Sequence, residues 1–309
     1  MSNFTKKFLS SIRYHVFSFN GLALIKYSII RKIMFSLWKH FTPEFVMIEG
    51  HKIYLDTKDS LGLSLDPNYE PQETQLLKKI IKKNSTVIDI GANIGYFTLL
   101  LAKLVGPDGK VFSFEPDPNN FSILEKNVKI NGYSNVILTQ KAISDKTETT
   151  KLYLCKYSNG MHRIYQSEIC EGYVEIESSK LDDFFENIKF NGNVDFIKID
   201  TEGSEVNVIR GIKNIINMNK NIKILVEFEP WSIAQSGCSP KELLTQIENH
   251  GFKIFPIEST NVKYHSSQVE SKKILKIISA EELSKRFNEK NLNYVNLFCS
   301  KEENLINLE

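Results

Sequence analysis

The chain is poor in cysteine, and what it has is scattered. Cys155, Cys170, Cys238 and Cys299 are its four cysteines in 309 residues, and no CxxC pair occurs. That spacing argues against a zinc site, and a chain this large does not need a disulfide framework. The pattern reads as reduced thiols in a cytoplasmic protein. Long apolar runs are also missing. None reaches the roughly 18 uninterrupted residues of a membrane-spanning helix, and no apolar core with a small-residue cleavage site marks a signal peptide. Glycine (15) and proline (9) are not enriched, which excludes fibrous repeats and bulk disorder. Acidic residues are absent from positions 1–43, although seven of the 39 basic residues fall there. A basic, apolar arm therefore precedes a body of formal charge −5.

In the arm, Ile25, Ile29, Ile33, Leu37 and Phe41 recur every four residues, with Lys26, Arg31, Lys32 and Lys39 among them. This predicts an amphipathic helix. Two roles fit it: a helical extension packed on the body, or peripheral attachment of residues 1–41 to the anionic inner face of a membrane. The body, from residue 44 to 309, reads as one domain with an insertion at about 145–180. Phe45–Ile48 and His51–Leu55 flank Glu49-Gly50, which predicts a β-hairpin. From Thr86 onward, short apolar strands alternate with helical segments, including one continuous helix expected over Ser204–Met218. Such alternation predicts a mostly parallel seven-stranded sheet with helices on both faces, a Rossmann-like α/β fold. The insertion breaks the rhythm. Lys151–Leu154 and Tyr173–Glu177 are strand-like and flank a polar loop, which suggests an antiparallel piece beside a functional loop.

Three clusters carry chemistry. Val87-Ile88-Asp89-Ile90-Gly91-Ala92-Asn93-Ile94-Gly95 is an apolar strand ending in an acid, then a tight turn into a helix. Phe112-Ser113-Phe114-Glu115-Pro116 ends the next strand in a carboxylate, the place where nucleoside-binding sheets grip ribose hydroxyls. A pyrophosphate favours the GxGxxG turn. Here the spacing is Gly91-x-x-x-Gly95, and Asp89 would repel phosphate. A cationic, phosphate-free nucleoside, S-adenosylmethionine, fits better than NAD. The third cluster, Ile197-Lys198-Ile199-Asp200-Thr201-Glu202-Gly203-Ser204-Glu205, brings crowded carboxylates to the same sheet edge, with Glu227 and Glu229 on the neighbouring strand. Capping of the following helix would account for Ser204 and Glu205, but not for Asp200 or Glu202.

Residues 89–98, 114–118, 197–205 and 227–230 together resemble the FkbM family of methyltransferases, over roughly Glu70 to Pro230. The resemblance implies a class I methyltransferase fold, S-adenosylmethionine as cofactor, and O-methylation of a hydroxyl on a sugar, glycan or secondary metabolite. It places Asp89, Gly91, Ala92, Asn93 and Gly95 at the methionine end, Glu115 with Pro116 at the ribose, and Asp145 at the adenine. Asp200 and Glu202 would face the methyl group and the acceptor. A hydroxyl needs a base. Asp200, Glu202 and His162 in the inserted loop are the candidates, and His51 in the hairpin is a weaker one. Asp200, Glu202 and Glu227 could instead hold a divalent cation, although no spacing motif supports it. An NAD-dependent oxidoreductase and a non-catalytic scaffold remain the alternatives. The body has no basic stripe with interleaved aromatics, so a nucleic-acid acceptor is not expected.

Overall fold

The computed structural model describes residues 42–257, 277–287 and 294–302. The amphipathic arm lies outside these residues. The chain opens with the expected hairpin, β1 (Phe45–Ile48) and β2 (His51–Tyr54). A loop then leads to α1 (Pro71–Ile80). Strand–helix alternation follows: β3 (Thr86–Ile90), α2 (Tyr96–Val105), β4 (Lys110–Phe114), α3 (Pro118–Ile130) and β5 (Val136–Thr139). The insertion comprises β6 (Ala142–Ile143), β7 (Glu148–Cys155) and β8 (Cys170–Ser179). Next come α4 (Leu181–Asn187), β9 (Phe196–Ile199), α5 (Glu205–Gly211), α6 (Lys213–Met218) and β10 (Lys223–Phe228). The domain closes with α7 (Pro230–Gln235), α8 (Pro240–Asn249), β11 (Lys253–Ile257), α9 (Ala280–Arg286) and β12 (Val295–Ser300).

Seven strands form one sheet in the order β11-β12-β10-β9-β3-β4-β5. All pairs are parallel except those of β12, which runs antiparallel between β10 and β11. The strand order reverses outward from β3 and β9, so their carboxyl ends frame a crevice. Period-two alternation assigns each strand residue to one of two helical layers. Ile88, Ile90, Ile224 and Val226 pack against α4, α5, α8 and α9. Val87, Leu225 and Phe298 face α1, α2 and α3.

Local chemistry fixes the helix starts near the crevice. Pro118 opens α3, and Asp117 Oδ1 caps it by accepting from the N–H groups of Asn119 (2.9 Å) and Asn120 (2.8 Å). Asn127 near the end of α3 and Asn131 at its C-cap bind the backbone of Tyr54 and Lys52 on both donor and acceptor sides. Two side-chain amides thus act as an edge strand for the hairpin and hold it to the domain.

The insertion forms a separate three-stranded sheet, β6-β8-β7, in which β7 and β8 are antiparallel as expected. One expectation changes. The helix over 204–218 is two helices, broken at Ile212 (φ −119°). Gly211 lies against the backbone of Ser144, and a Cβ there would sit 2.0 Å from the Ser144 carbonyl oxygen. The chain gives up helical continuity where it packs on the start of the insertion, just after β6. Replacing Gly211 by Ala should therefore cost about 3 kcal/mol through overpacking. Gly132→Ala, at φ 73° with open space around it, should cost only about 1–2 kcal/mol of left-handed strain. Urea denaturation followed by circular dichroism compares the two, and equal losses would mean that the insertion does not bear on Gly211.

Candidate active site

At the carboxyl ends of β3, β4, β9 and β10 lies a cavity of about 890 Å³, roofed by the insertion and by the loop before α1. Its floor is the turn after β3. The N–H groups of Gly91 and Ala92 both donate to the Phe114 carbonyl (3.0 Å each), and Asp200 N–H donates to the Ile90 carbonyl (3.1 Å). Gly91 has φ 81°, and a Cβ there would lie 1.8 Å from the Asp200 carbonyl oxygen. Only glycine lets these two strand tips cross so closely.

One end of the cavity is built around Glu115. Its Oε2 accepts from Asn93 N–H (2.8 Å) and its Oε1 from Asp117 N–H (2.9 Å), so the carboxylate is aimed by the backbone. Burial pushes its pKa up to about 8, against the lowering effect of those two bonds. Beside it, Asp117 Oδ2 and Asn120 Oδ1 are buried and have no hydrogen-bond partner. Ala142, Ile143, Leu152 and Ile164 supply an apolar wall. The polar loop of the insertion closes this end. Asn159 N–H donates to Ser60 Oγ (2.8 Å), and Asn120 Nδ2 donates to the Asn159 carbonyl (2.9 Å).

The other end is acidic. Glu70, Asp200, Glu202, Glu227 and Glu229 all line it, with Lys198 and Arg163 as cations. Lys198 rises from the middle of β9, is buried, and donates to Asp200 Oδ2 at 2.8 Å. Burial alone lowers an ammonium pKa. Here Asp200, Asp89 and Glu70 outweigh that and hold Lys198 above its ordinary value. The ammonium also sits 4.8 Å from the centre of the Phe97 ring. Arg163, from the insertion, is fully buried and pairs with Glu202 at 3.3 Å. Burial, then Asp200, raise Glu202 well above the usual carboxylate range, with Arg163 opposing. Glu227 is raised well above that range too, by burial and then by Asp200, Glu202, Glu205 and Glu229. Glu70 reaches about 8, chiefly through burial. Among the described residues, no group of three His, Cys, Asp or Glu is placed to hold a metal ion.

The tertiary structure brings most of the expected residues together. Asp89, Gly91, Ala92, Asn93, Glu115, Pro116, His162, Asp200 and Glu202 line the one cavity. Asp145 and Gly95 do not. Asp145 turns outward to Arg210 on α5 (3.5 Å), leaving the wall beyond β5 to Lys141, Ala142 and Ile143. Gly95, at φ 98°, is instead a packing position, since a Cβ there would meet Leu124 Cδ1 at 2.6 Å. Asp89 is fully buried. Its Oδ2 accepts from Thr98 Oγ1 (2.6 Å) and its Oδ1 has no partner.

His162 reaches the cavity but is not free to act as a base. Its Nδ1 accepts from Cys155 N–H (2.9 Å), so the neutral ring carries its proton on Nε2, facing Asp117 Oδ2 at 3.8 Å. Burial lowers its pKa, against the pull of Asp117. His51 lies in the hairpin, bonded to Tyr133 (2.6 Å) and away from the cavity. Glu205 is a bracket for the turn: its Oε1 accepts from the N–H groups of Thr201 (3.0 Å) and Gly203 (3.1 Å) and from Thr201 Oγ1 (3.0 Å). Ser204 makes no side-chain cap.

Lys198 lies within one of the motifs that mark the site in the sequence but is not among its acids; Arg163, Glu70 and Tyr69, which also line the cavity, belong to none of them. A lysine inside an otherwise apolar strand was a usable signal for Lys198. Nothing local distinguishes the other three.

Residues 89–254 match the family model described as the methyltransferase FkbM domain, which is more than half of the chain. The chain belongs to the FkbM methyltransferase family. It is 26% identical over 147 residues to Methyltransferase 1 of Beauveria bassiana, covering 42% of this chain and 59% of that protein, so it spans less than two thirds of that relative. It is 24% identical over 204 residues to methyltransferase sdnD of Sordaria araneosa, covering 56% of this chain and 76% of that protein. A solved FkbM methyltransferase from Methylobacillus flagellatus aligns at 16% identity and TM-score 0.40, over 70% of this chain and 43% of that one. FkbM methyltransferases use S-adenosylmethionine as cofactor. The cavity of this FkbM domain fits such a group: a carboxylate aimed for a diol, buried acceptors without partners, an apolar wall, and acids where a cation would lie.

The Lys198 ammonium is what allows several acids to share that end. Lys198→Met should destabilise the protein by about 3–5 kcal/mol, because Asp200 and Asp89 are left uncompensated. Adding Asp200→Asn should restore part of the loss. Chemical denaturation of both variants at neutral pH tests this, and a loss under about 1 kcal/mol would remove Lys198 from that role.

Proposed function

We propose that this FkbM domain transfers a methyl group from S-adenosylmethionine to a hydroxyl oxygen, on a sugar, glycan or secondary metabolite. The observation that carries this reading is the acidic end of the cavity, continuous with a nucleoside-sized end around Glu115. The cofactor supplies an electrophilic methyl group on a sulfonium. Glu115 would accept from the ribose hydroxyls, and Ala142, Ile143 and Leu152 would flank the adenine. Asp89 and Asp200 would balance positive charge. An acceptor hydroxyl would have to give up its proton to a group of this chain. Glu202 and Asp200 are the proposed acceptors of that proton, because His162 Nδ1 already accepts from Cys155 N–H and Nε2 of the neutral ring carries the proton. A carboxyl whose pKa is raised by burial is a stronger base once ionised. Arg163 would position Glu202. Holding the oxygen in line with the methyl group would supply much of the rate.

Peripheral membrane attachment through residues 1–41 stays part of the proposal. Among the described residues, no helix is long and apolar enough to cross a membrane.

A screen of sugars, lipid-linked glycans and hydroxylated metabolites with methyl-labelled S-adenosylmethionine tests the reaction. The product should carry the label as an O-methyl ether. Glu202→Gln should lower kcat by about 10²–10⁴-fold with little change in donor affinity. Label appearing on nitrogen or carbon instead would sink the O-methyl assignment.

The ribose role predicts a pH dependence. With Glu115 at about 8 in the free protein, it is mostly protonated near neutrality, and a diol donates best to the ionised form. Adenosine has no group titrating near this range. Its affinity should rise about tenfold from pH 7 to pH 9. Glu115→Gln should flatten that profile and weaken binding at pH 9 by about 10–100-fold. The sign for stability is opposite. The folded pKa lies above the unfolded one of 4.5, so Glu115 withdraws stability as pH rises from about 4.5 to 8. Calorimetric titration across this range decides; a flat wild-type profile would count against Glu115.

A further inference from the structure

Two of the four cysteines face one another in the insertion. Cys155 on β7 and Cys170 on β8 are direct partners in the antiparallel ladder. A uniform register would not pair them. Tyr153 pairs with Tyr173, which would set Cys155 opposite Glu171; one extra residue in β8 brings Cys170 there instead. The chain accommodates that bulge at Gly172, which has φ 78° and open space around it.

The hydrogen bonds define the kind of pair. Cys155 N–H donates to His162 Nδ1 (2.9 Å), and Cys170 N–H donates to the Ser167 carbonyl (3.1 Å). The ladder bond runs between the flanking Lys156 N–H and the Ile169 carbonyl (3.0 Å). This is a non-hydrogen-bonded pair, the close type, with Cα atoms about 4.5 Å apart. Disulfides span Cα separations of about 4.4–6.8 Å. Directly opposite residues also share one face of the sheet. Each sulfur has a polar neighbour: Tyr157 N–H lies 3.4 Å from Cys155 Sγ, and Ser167 Oγ lies 3.2 Å from Cys170 Sγ. Cys155 is buried and Cys170 partly exposed, so an oxidant reaches Cys170 first.

We propose that Cys155 and Cys170 form a reversible disulfide that fixes residues 156–169 as the outer wall of the cavity. Those residues include Ser158, Asn159, His162 and Arg163, which line both of its ends. The oxidant is a low-molecular-weight disulfide. The Cys170 thiolate attacks one of its sulfurs, forming a mixed disulfide and expelling one small thiolate. The Cys155 thiolate then attacks Cys170 Sγ and expels the second fragment when the mixed bond breaks. Two protein thiols are oxidised by two electrons, the small disulfide is reduced to two thiols, and the protons lost by the cysteines are taken up by the released thiolates.

The test treats the full 309-residue chain with glutathione disulfide. Unreduced peptides are then read by mass spectrometry, and amide exchange is measured before and after. The expected product links Cys155 to Cys170 with the loss of two hydrogens, while Cys238 and Cys299 stay as thiols. Exchange across 156–169 should slow at least fivefold and recover on reduction with dithiothreitol. Cys170→Ser should abolish the link and the slowing, and Cys155→Ala serves as an independent variant. Three results would overturn the proposal: Cys170 held as a stable glutathione adduct, both thiols surviving while Cys238 reacts, or a link that leaves exchange unchanged. None of these readouts requires methyl transfer, so failure here is separable from failure of the enzymatic reading.

Discussion

Lys198 sits in the centre of the sheet, flanked by Asp89 on β3 and Leu225 on β10, and its buried ammonium donates to Asp200 at the crevice. Removing a charge from water is costly, and it is tolerated here because Asp200, Asp89 and Glu70 converge on it. The dependence runs in both directions. Without the ammonium, these acids would repel one another. With it, an acidic end persists next to the end built around Glu115 within one cavity. Arg163 does the same for Glu202 from the opposite wall, so the two cations arrive from different parts of the chain. The charge balance of the site is therefore a property of the folded state and not of any one motif.

Close backbone approach is the second constraint. Gly91 allows β3 and β9 to touch at their tips, and Gly203, at φ 101°, passes within reach of the Ser232 carbonyl and the Tyr165 hydroxyl. Side chains at either position would push the acid-bearing turns apart. Glu205 fastens the second turn from beneath by accepting three hydrogen bonds on one oxygen. What looks like an excess acid in the Asp200–Glu205 run is thus a structural fastener, and the remaining acids face the cavity.

The roof comes from two segments distant in sequence. Asp56 accepts from Ser60 Oγ (2.9 Å) and Asn159 Nδ2 (3.3 Å), joining the loop before α1 to the insertion. His162 braces the insertion from within, because its imidazole holds the Cys155 N–H at the end of β7. A histidine in a polar loop over a cavity reads naturally as a base. Its hydrogen bond to Cys155 makes it a strut.

The alternation of apolar strands and helices, the Gly91 turn, and the acids at 89, 115, 200 and 202 were all legible in the sequence. Each depends on local pattern: period-two burial, the backbone freedom of glycine, and strand-end position in a parallel sheet. The break at Ile212 was not legible, because it arises where Gly211 meets Ser144, a contact between segments far apart in the chain. Nor was the outward turn of Asp145, which follows from an arginine on α5. Arg163, which pairs with one of the acids, and Glu70, which joins them from the loop before α1, likewise gain their meaning only from proximity. Sequence alone determined which strand ends carry chemistry. The tertiary structure decided which charges meet there, because electrostatic partners are chosen by distance in space and not by distance along the chain.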